Sequence, residues 1–129
     1  AQPMQVVRYP PGEHFFYHMD AGQRRHGLSP RFATTLLYLN DGFDGGETNF
    51  PVGADDAPTS EMDAVWRTYA PCQTERGLTL APKLGRVALF YNLHPHSDEL
   101  DYRAWHGSCD VAHGGEKWAA NLWFSLDRL

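Results

Sequence analysis

The sequence predicts a mainly β domain, a sandwich or a barrel, on three observations. Short runs rich in β-branched and aromatic residues recur along the chain, turn-forming clusters separate them, and 12 Gly and 9 Pro argue against long helices. Residues 6–9, 15–20, 32–39, 78–81, 87–91 and 118–126 read as strands. The clusters between them are Pro10-Pro11-Gly12, Asn40-Asp41-Gly42, Asp44-Gly45-Gly46, Pro82-Lys83-Leu84-Gly85 and Gly114-Gly115. Residues 52–77 break the pattern, being acidic and proline-bearing at first, with a helical turn or two expected at 62–69. They read as an insertion able to fold over a site, and residues 94–103 as a second such loop.

A length of 129 residues with 42% hydrophobic content fits one compact domain spanning 1–129, with one core and one principal site. The chain opens without an initiator Met and runs at once into a strand, so a segment upstream is expected. The net charge of -5 argues against a nucleic-acid binder, which needs a dense Lys/Arg surface, and suits a neutral or basic polypeptide better. No run approaches the roughly 20 apolar residues that cross a bilayer, and no signal peptide starts at Ala1. No membrane contact is expected of this segment, although an upstream anchor is left open. Two cysteines, Cys72 and Cys109, are too few for a disulfide scaffold and leave open one bridge or two free thiols.

The first chemical signal is His18-Met19-Asp20. On a strand, residues i and i+2 share a face, so the imidazole and carboxylate would grip one ion while Met19 turned to the opposite layer. His106, in Trp105-His106-Gly107, supplies a third ligand from a distant strand. Two His and one carboxylate leave positions open on the metal, as in non-haem Fe(II) oxygenases, whereas structural zinc takes four closed ligands. Alone, H-x-D describes many surface strands. Lys117 adds weight: eleven residues after His106, it opens the final strand, and a Lys directed into a barrel needs an anion. The distal carboxylate of a dicarboxylic acid fits that need. Trp123, six residues on, shares the face of Lys117 and would wall the pocket.

Other candidates have plainer readings. His94-Pro95-His96 sits in a loop, and His14, His26 and His113 read as solvated or hydrogen-bonded residues. Glu47 is the strongest alternative carboxylate, but in Gly46-Glu47-Thr48 it reads as a turn residue. Arg24-Arg25 could attract an acidic substrate or simply be solvated; Trp66, Tyr69 and Trp105 could stack on a proline ring or simply pack.

Four stretches occur in order: Tyr9-Pro10-Pro11-Gly12 with His18-Met19-Asp20; Thr34-Thr35-Leu36-Leu37-Tyr38-Leu39-Asn40-Asp41; Gly45-Gly46-Glu47-Thr48-Asn49-Phe50-Pro51; and His106-Gly107-Ser108-Cys109 leading to Gly115-Glu116-Lys117-Trp118. On these the chain resembles the catalytic domain of prolyl 4-hydroxylases, from about residue 5 to 127. The insertion before Cys72 and the lead-in Asp98-Glu99-Leu100-Asp101-Tyr102 make it most like the transmembrane branch. The resemblance implies a double-stranded β-helix, or jelly roll, with a short helical insertion. It implies Fe(II) on His18, Asp20 and His106, and 2-oxoglutarate with its C5 carboxylate on Lys117, helped by Tyr9 and Thr48 and lined by Tyr38. O2 is the implied oxidant and ascorbate an implied auxiliary. The implied reaction hydroxylates peptidyl proline at C4 while 2-oxoglutarate becomes succinate, in the lumen or membrane of the endoplasmic reticulum. A Cys72–Cys109 bridge suits that compartment. The chain departs from its relatives at Ser108, where Gly is common, and at Cys109-Asp110-Val111, which lacks the usual proline-like turn residue. Two alternatives stand beside this reading: the same cofactors acting on another side chain or small molecule, and a jelly-roll binding module with a structural metal.

Overall fold

Eight strands make up two four-stranded antiparallel sheets in this computed structural model, which describes residues 1–22, 29–53, 72 and 77–125. The expected helical turns at 62–69, and with them Arg24, Arg25, His26, Trp66 and Tyr69, lie outside the described residues. Strands β1 (Gln5–Tyr9), β2 (Phe15–His18), β3 (Arg31–Tyr38), β4 (Thr48–Phe50), β5 (Leu78–Leu80), β6 (Val87–Tyr91), β7 (His106–Ser108) and β8 (Lys117–Ser125) follow in chain order. The first sheet runs β1-β8-β3-β6 and the second β2-β7-β4-β5. Apart from the neighbouring β4 and β5, successive strands alternate between the two sheets, which is the jelly-roll arrangement the resemblance implied. A 3-10 turn at Tyr102–Ala104, capped by Asp101, leads into β7. No helix among the described residues is long and apolar enough to cross a membrane.

Six strands fall where the β-rich runs placed them, with ends shifted by a residue or two. β4 and β7 went unread because each is three residues long, too short for alternation to show, and β7 is His-Gly-Ser. Both are buried throughout, since they lie in the middle of the second sheet with neighbours on either side. One expectation fails in detail. β2 ends at His18, so Asp20 lies beyond the strand, and Met19 lines the same cavity as its two neighbours instead of turning to the opposite layer. Only Phe15 and His18 pair with β7, with an irregular register between them, so no ladder enforces alternation past His18.

Alternation along β3 builds the core. Thr34, Leu36 and Tyr38 point inward and are buried, and Leu36 and Tyr38 pack with Ala119 of β8 against Val7, Ala88 and Phe90. Phe50 of the second sheet meets Phe90 of the first edge to face at 5.1 Å, joining the layers. Asn40 clamps the start of β8, its amide nitrogen donating to Glu116 O and its amide oxygen accepting from Trp118 N.

Cys72 and Cys109 form a disulfide across 37 residues of sequence. Cys109 follows β7 directly, and its N–H donates to Glu47 O just before β4. The Cys72 N–H donates to the buried Tyr17 hydroxyl, which in turn donates to Asn49. The bridge therefore ties a distant point of the chain to the strands at the centre of the second sheet. Closing a loop of that length is worth about 2–4 kcal/mol. Replacing both cysteines by Ala should lower the urea midpoint accordingly, and adding reductant to the native protein should reproduce the loss.

Candidate active site

Register brings the site together. On the second sheet His18 of β2 stands opposite His106 of β7, and their ring centroids are 4.4 Å apart. Two residues further along β7, Ser108 stands opposite Thr48 of β4. On the first sheet Tyr9 of β1 stands opposite Lys117 of β8. Directly opposed residues are near neighbours, so three ladder pairs from remote parts of the sequence bring six polar side chains together. All six line one cavity of about 630 Å³ between the sheets. Along β8, Lys117, Ala119, Asn121 and Trp123 all line it, the period of two expected of one strand face.

At one wall, the donor atoms of His18, Asp20 and His106 all lie within 4.8 Å of one another. His18 Nε2 is 3.2 Å from Asp20 Oδ1, and His106 Nε2 is 3.7 Å from Asp20 Oδ2. The far nitrogen of each ring is already committed: His18 Nδ1 lies 2.7 Å from Phe16 O and His106 Nδ1 2.8 Å from Ala104 O. A carbonyl only accepts, so each Nδ1 carries a proton, and on the neutral His106 ring Nε2 then presents its lone pair to the cluster. That tautomer is the one metal-binding histidines need. The Asp20 carboxylate is held from behind, where Thr34 Oγ1 donates to Oδ2 at 2.8 Å and Asn92 Nδ2 donates to Thr34 Oγ1 at 2.9 Å. His106 is packed by Phe50 and Phe90, at 5.4 and 4.9 Å between centroids.

Burial would raise the Asp20 carboxyl, but the hydrogen bond from His18, the His106 and His18 rings and the Thr34 hydroxyl outweigh it and hold it well below the usual carboxylate range. Burial pushes the His106 imidazole down to about 4, against the pull of Asp20. At neutral pH the wall is therefore a carboxylate beside a neutral imidazole lone pair. Two imidazole nitrogens and a carboxylate suit a divalent transition metal, so these three residues could hold one.

At the opposite end sits Lys117, 1% exposed, whose Nζ donates to Gly46 O and to Ser108 Oγ, both at 2.7 Å. The Tyr9 and Tyr38 rings flank it at 5.1 and 5.5 Å. Burial pushes the ammonium down to about 8, and Glu47 draws it partly back, so it is still charged at neutral pH. Among the described residues no carboxylate lies within ion-pair distance of it. A buried charge of this kind calls for an anion from outside. Burial also raises Tyr9 and Tyr38, so both hydroxyls keep their protons. Tyr38 donates to Thr48 Oγ1 at 2.7 Å and is not among the residues lining the cavity; it stands one layer behind.

The remaining candidates lie elsewhere. His94 and His96 are on an exposed loop, with His94 Nδ1 3.8 Å from Asp101. His14 pairs with Asp110 at 2.7 Å, and His113 is exposed. Glu47 offers its carboxylate near the bridged Cys72 and Cys109, not to the histidines. Trp105 packs against Tyr102 with centroids 6.2 Å apart and is buried. Three contributors were given no role from sequence: Thr34, Asn92 and Ser108. Ser108 was within reach, because it lies two residues from His106 and so on the same strand face; Thr34 and Asn92 depend on contacts between distant elements.

A jelly roll holding a two-His, one-carboxylate cluster opposite a buried cation defines a class. The model of the 2OG-Fe(II) oxygenase superfamily matches residues 4–125, and the chain belongs to that family. Within it, the chain is 37% identical over 129 residues to prolyl 4-hydroxylase 5 of Arabidopsis thaliana, covering 95% of this chain and 41% of that one. With the transmembrane prolyl 4-hydroxylase of Mus musculus it shares 33% over 153 residues, 98% of this chain and 30% of the other. Among solved structures, the 2OG complex of the viral collagen prolyl hydroxylase of Paramecium Bursaria Chlorella virus-1 superposes with a TM-score of 0.64 at 25% identity, covering 97% of this chain and 59% of that one. The chain thus spans less than half the length of these curated relatives.

The neutral, buried His106 has a consequence for metal-free protein. Its imidazole sits at about 4 in the fold, below the ordinary 6.5, so the unfolded chain takes the proton more readily. The stability this represents is complete above 6.5 and is lost as pH falls toward 4. Urea midpoints of chelator-treated protein should fall across that window, and His106→Asn should flatten the fall.

Proposed function

We propose that the chain is the catalytic domain, as one unit over 1–129, of an Fe(II)- and 2-oxoglutarate-dependent dioxygenase that hydroxylates peptidyl proline at C4. The observation that carries this reading is one cavity with the His18, Asp20 and His106 donor cluster on one wall and, on another, a buried ammonium with no carboxylate within ion-pair distance among the described residues. His18, Asp20 and His106 hold the iron. Lys117, Tyr9 and Thr48 receive the distal carboxylate of 2-oxoglutarate, while Tyr38 orients Thr48 from behind and Trp123 walls the cavity. Bound there with O2, the iron and 2-oxoglutarate supply an oxidative decarboxylation that yields succinate and CO2 and places a hydroxyl on the substrate carbon.

The chain's own residues do the positioning. Thr34 and Asn92 fix the Asp20 carboxylate so that it meets the metal without rearrangement. The carbonyls of Phe16 and Ala104 fix the imidazole tautomers. The apolar packing of Phe50 and Phe90 keeps water from the His106 side of the site. Lys117 selects a dicarboxylic acid, since an uncharged terminus would leave the buried ammonium unpaired. A proline-containing peptide as partner is supported by the named activities of the relatives, and ascorbate as an auxiliary reductant is what the family resemblance implies. A lumenal site in the endoplasmic reticulum is supported by the Cys72–Cys109 bridge and by likeness to the transmembrane relative.

The test is direct. With Fe(II), 2-oxoglutarate, O2 and proline-rich peptides, succinate should form and mass spectrometry should find one added oxygen on proline; no oxygen on any such peptide would defeat the substrate assignment. His106→Ala should abolish turnover while far-ultraviolet circular dichroism stays close to wild type. Thr34→Val removes the donor behind Asp20, and Fe(II) affinity should fall about 10- to 100-fold. Mn(II) titration followed by electron paramagnetic resonance would measure it.

A further inference from the structure

We infer that Ser108 is part of the carboxylate subsite, acting both as the seat of the Lys117 ammonium and as a donor to the distal carboxylate of the cosubstrate. The inference rests on the dioxygenase reading above and concerns a residue at which the chain departs from the relatives it resembles.

Proton accounting carries the argument. An ammonium has three N–H donors, and two of those on Lys117 end on Gly46 O and Ser108 Oγ. One is left to meet an anion. A hydroxyl that accepts one hydrogen bond still has its own proton to give. Thr48 Oγ1 accepts from Tyr38, so its proton is free to turn toward the cavity. Ser108 stands opposite Thr48 across the β4–β7 ladder and repeats the pattern, accepting from Lys117 and lining the same cavity. Among the described residues the Ser108 hydroxyl makes no other side-chain bond. An ammonium and two hydroxyls thus direct three protons to one place, with Tyr9 beside them. Three donors suit a carboxylate, which has about four acceptor positions. A glycine at this position would remove one donor and leave the ammonium held by Gly46 O alone.

The test compares two keto acids. 2-Oxoglutarate and 2-oxobutyrate share the chelating end, but only the first has a distal carboxylate. Calorimetric titration of oxygen-free, Mn(II)-loaded protein with each acid separates the two ends without turnover. Ser108→Ala and Ser108→Gly should each weaken 2-oxoglutarate by roughly 10- to 100-fold, the loss of one charge-assisted hydrogen bond, and leave 2-oxobutyrate unchanged. Using both variants guards against one of them folding poorly. Equal weakening of both acids would make Ser108 a structural support of β7 and overturn the inference, as would unchanged 2-oxoglutarate binding. Failure of the wild type to bind either acid would instead bring down the dioxygenase reading, and the assignment of Ser108 with it.

Discussion

The pairing of β2 with β7 is the constraint on which the site depends. It sets His18 opposite His106, and because side chains alternate along a strand, a slip of one residue would send one of the two rings out of the cavity. β7 has only three residues to define that register. It is fixed instead by its surroundings: β4 on its other side, the Cys109 bridge at its end, and the Phe50 and Phe90 rings against His106. The short strand is thus specified by tertiary contacts, not by its own propensity.

The cavity sets two opposite electrostatic problems within one enclosure. At one wall, a carboxylate is kept ionised despite burial by the hydrogen bond from His18, the charge interaction with the two imidazole rings and the Thr34 hydroxyl that donates to it. At the other wall, an ammonium is hydrogen-bonded to a carbonyl and a hydroxyl and flanked by two tyrosine rings, with no carboxylate within ion-pair distance among the described residues. Neither end is fully satisfied by the protein alone. Burying groups in this state costs stability that ligands then return, so bound metal and dicarboxylic acid should stabilise the fold as well as enable chemistry.

Much of this was legible in the sequence, for reasons that can be named. Long alternating strands such as β3 and β8 announce themselves, and the β8 period placed Lys117 and Trp123 on one face. His18, Asp20 and His106 do come together, but by partly different geometry from the one the sequence suggests: His18 and Asp20 converge although the strand stops between them, and Met19 is drawn to the same side. β4 and β7 were invisible because three residues carry no period. Thr34 and Asn92 were invisible because their value lies in a chain of bonds to Asp20 that joins β3, the residue after β6 and the end of β2. Such relations are set by register between strands far apart in sequence, which no local pattern encodes.

Gly46 shows how narrowly the cation is housed. Its φ is +68°, and a methyl group there would come within 3.1 Å of Lys117 Cδ and 3.0 Å of Phe43 Cε2. The turn must therefore be bare both to bend as it does and to let the lysine stem pass. An exchange of Lys117 for arginine would bring a broad planar head to a berth shaped for a slender one, and would need this turn recast at the same time. Drift at either position is thus hostage to the other, and the two should be inherited as a unit.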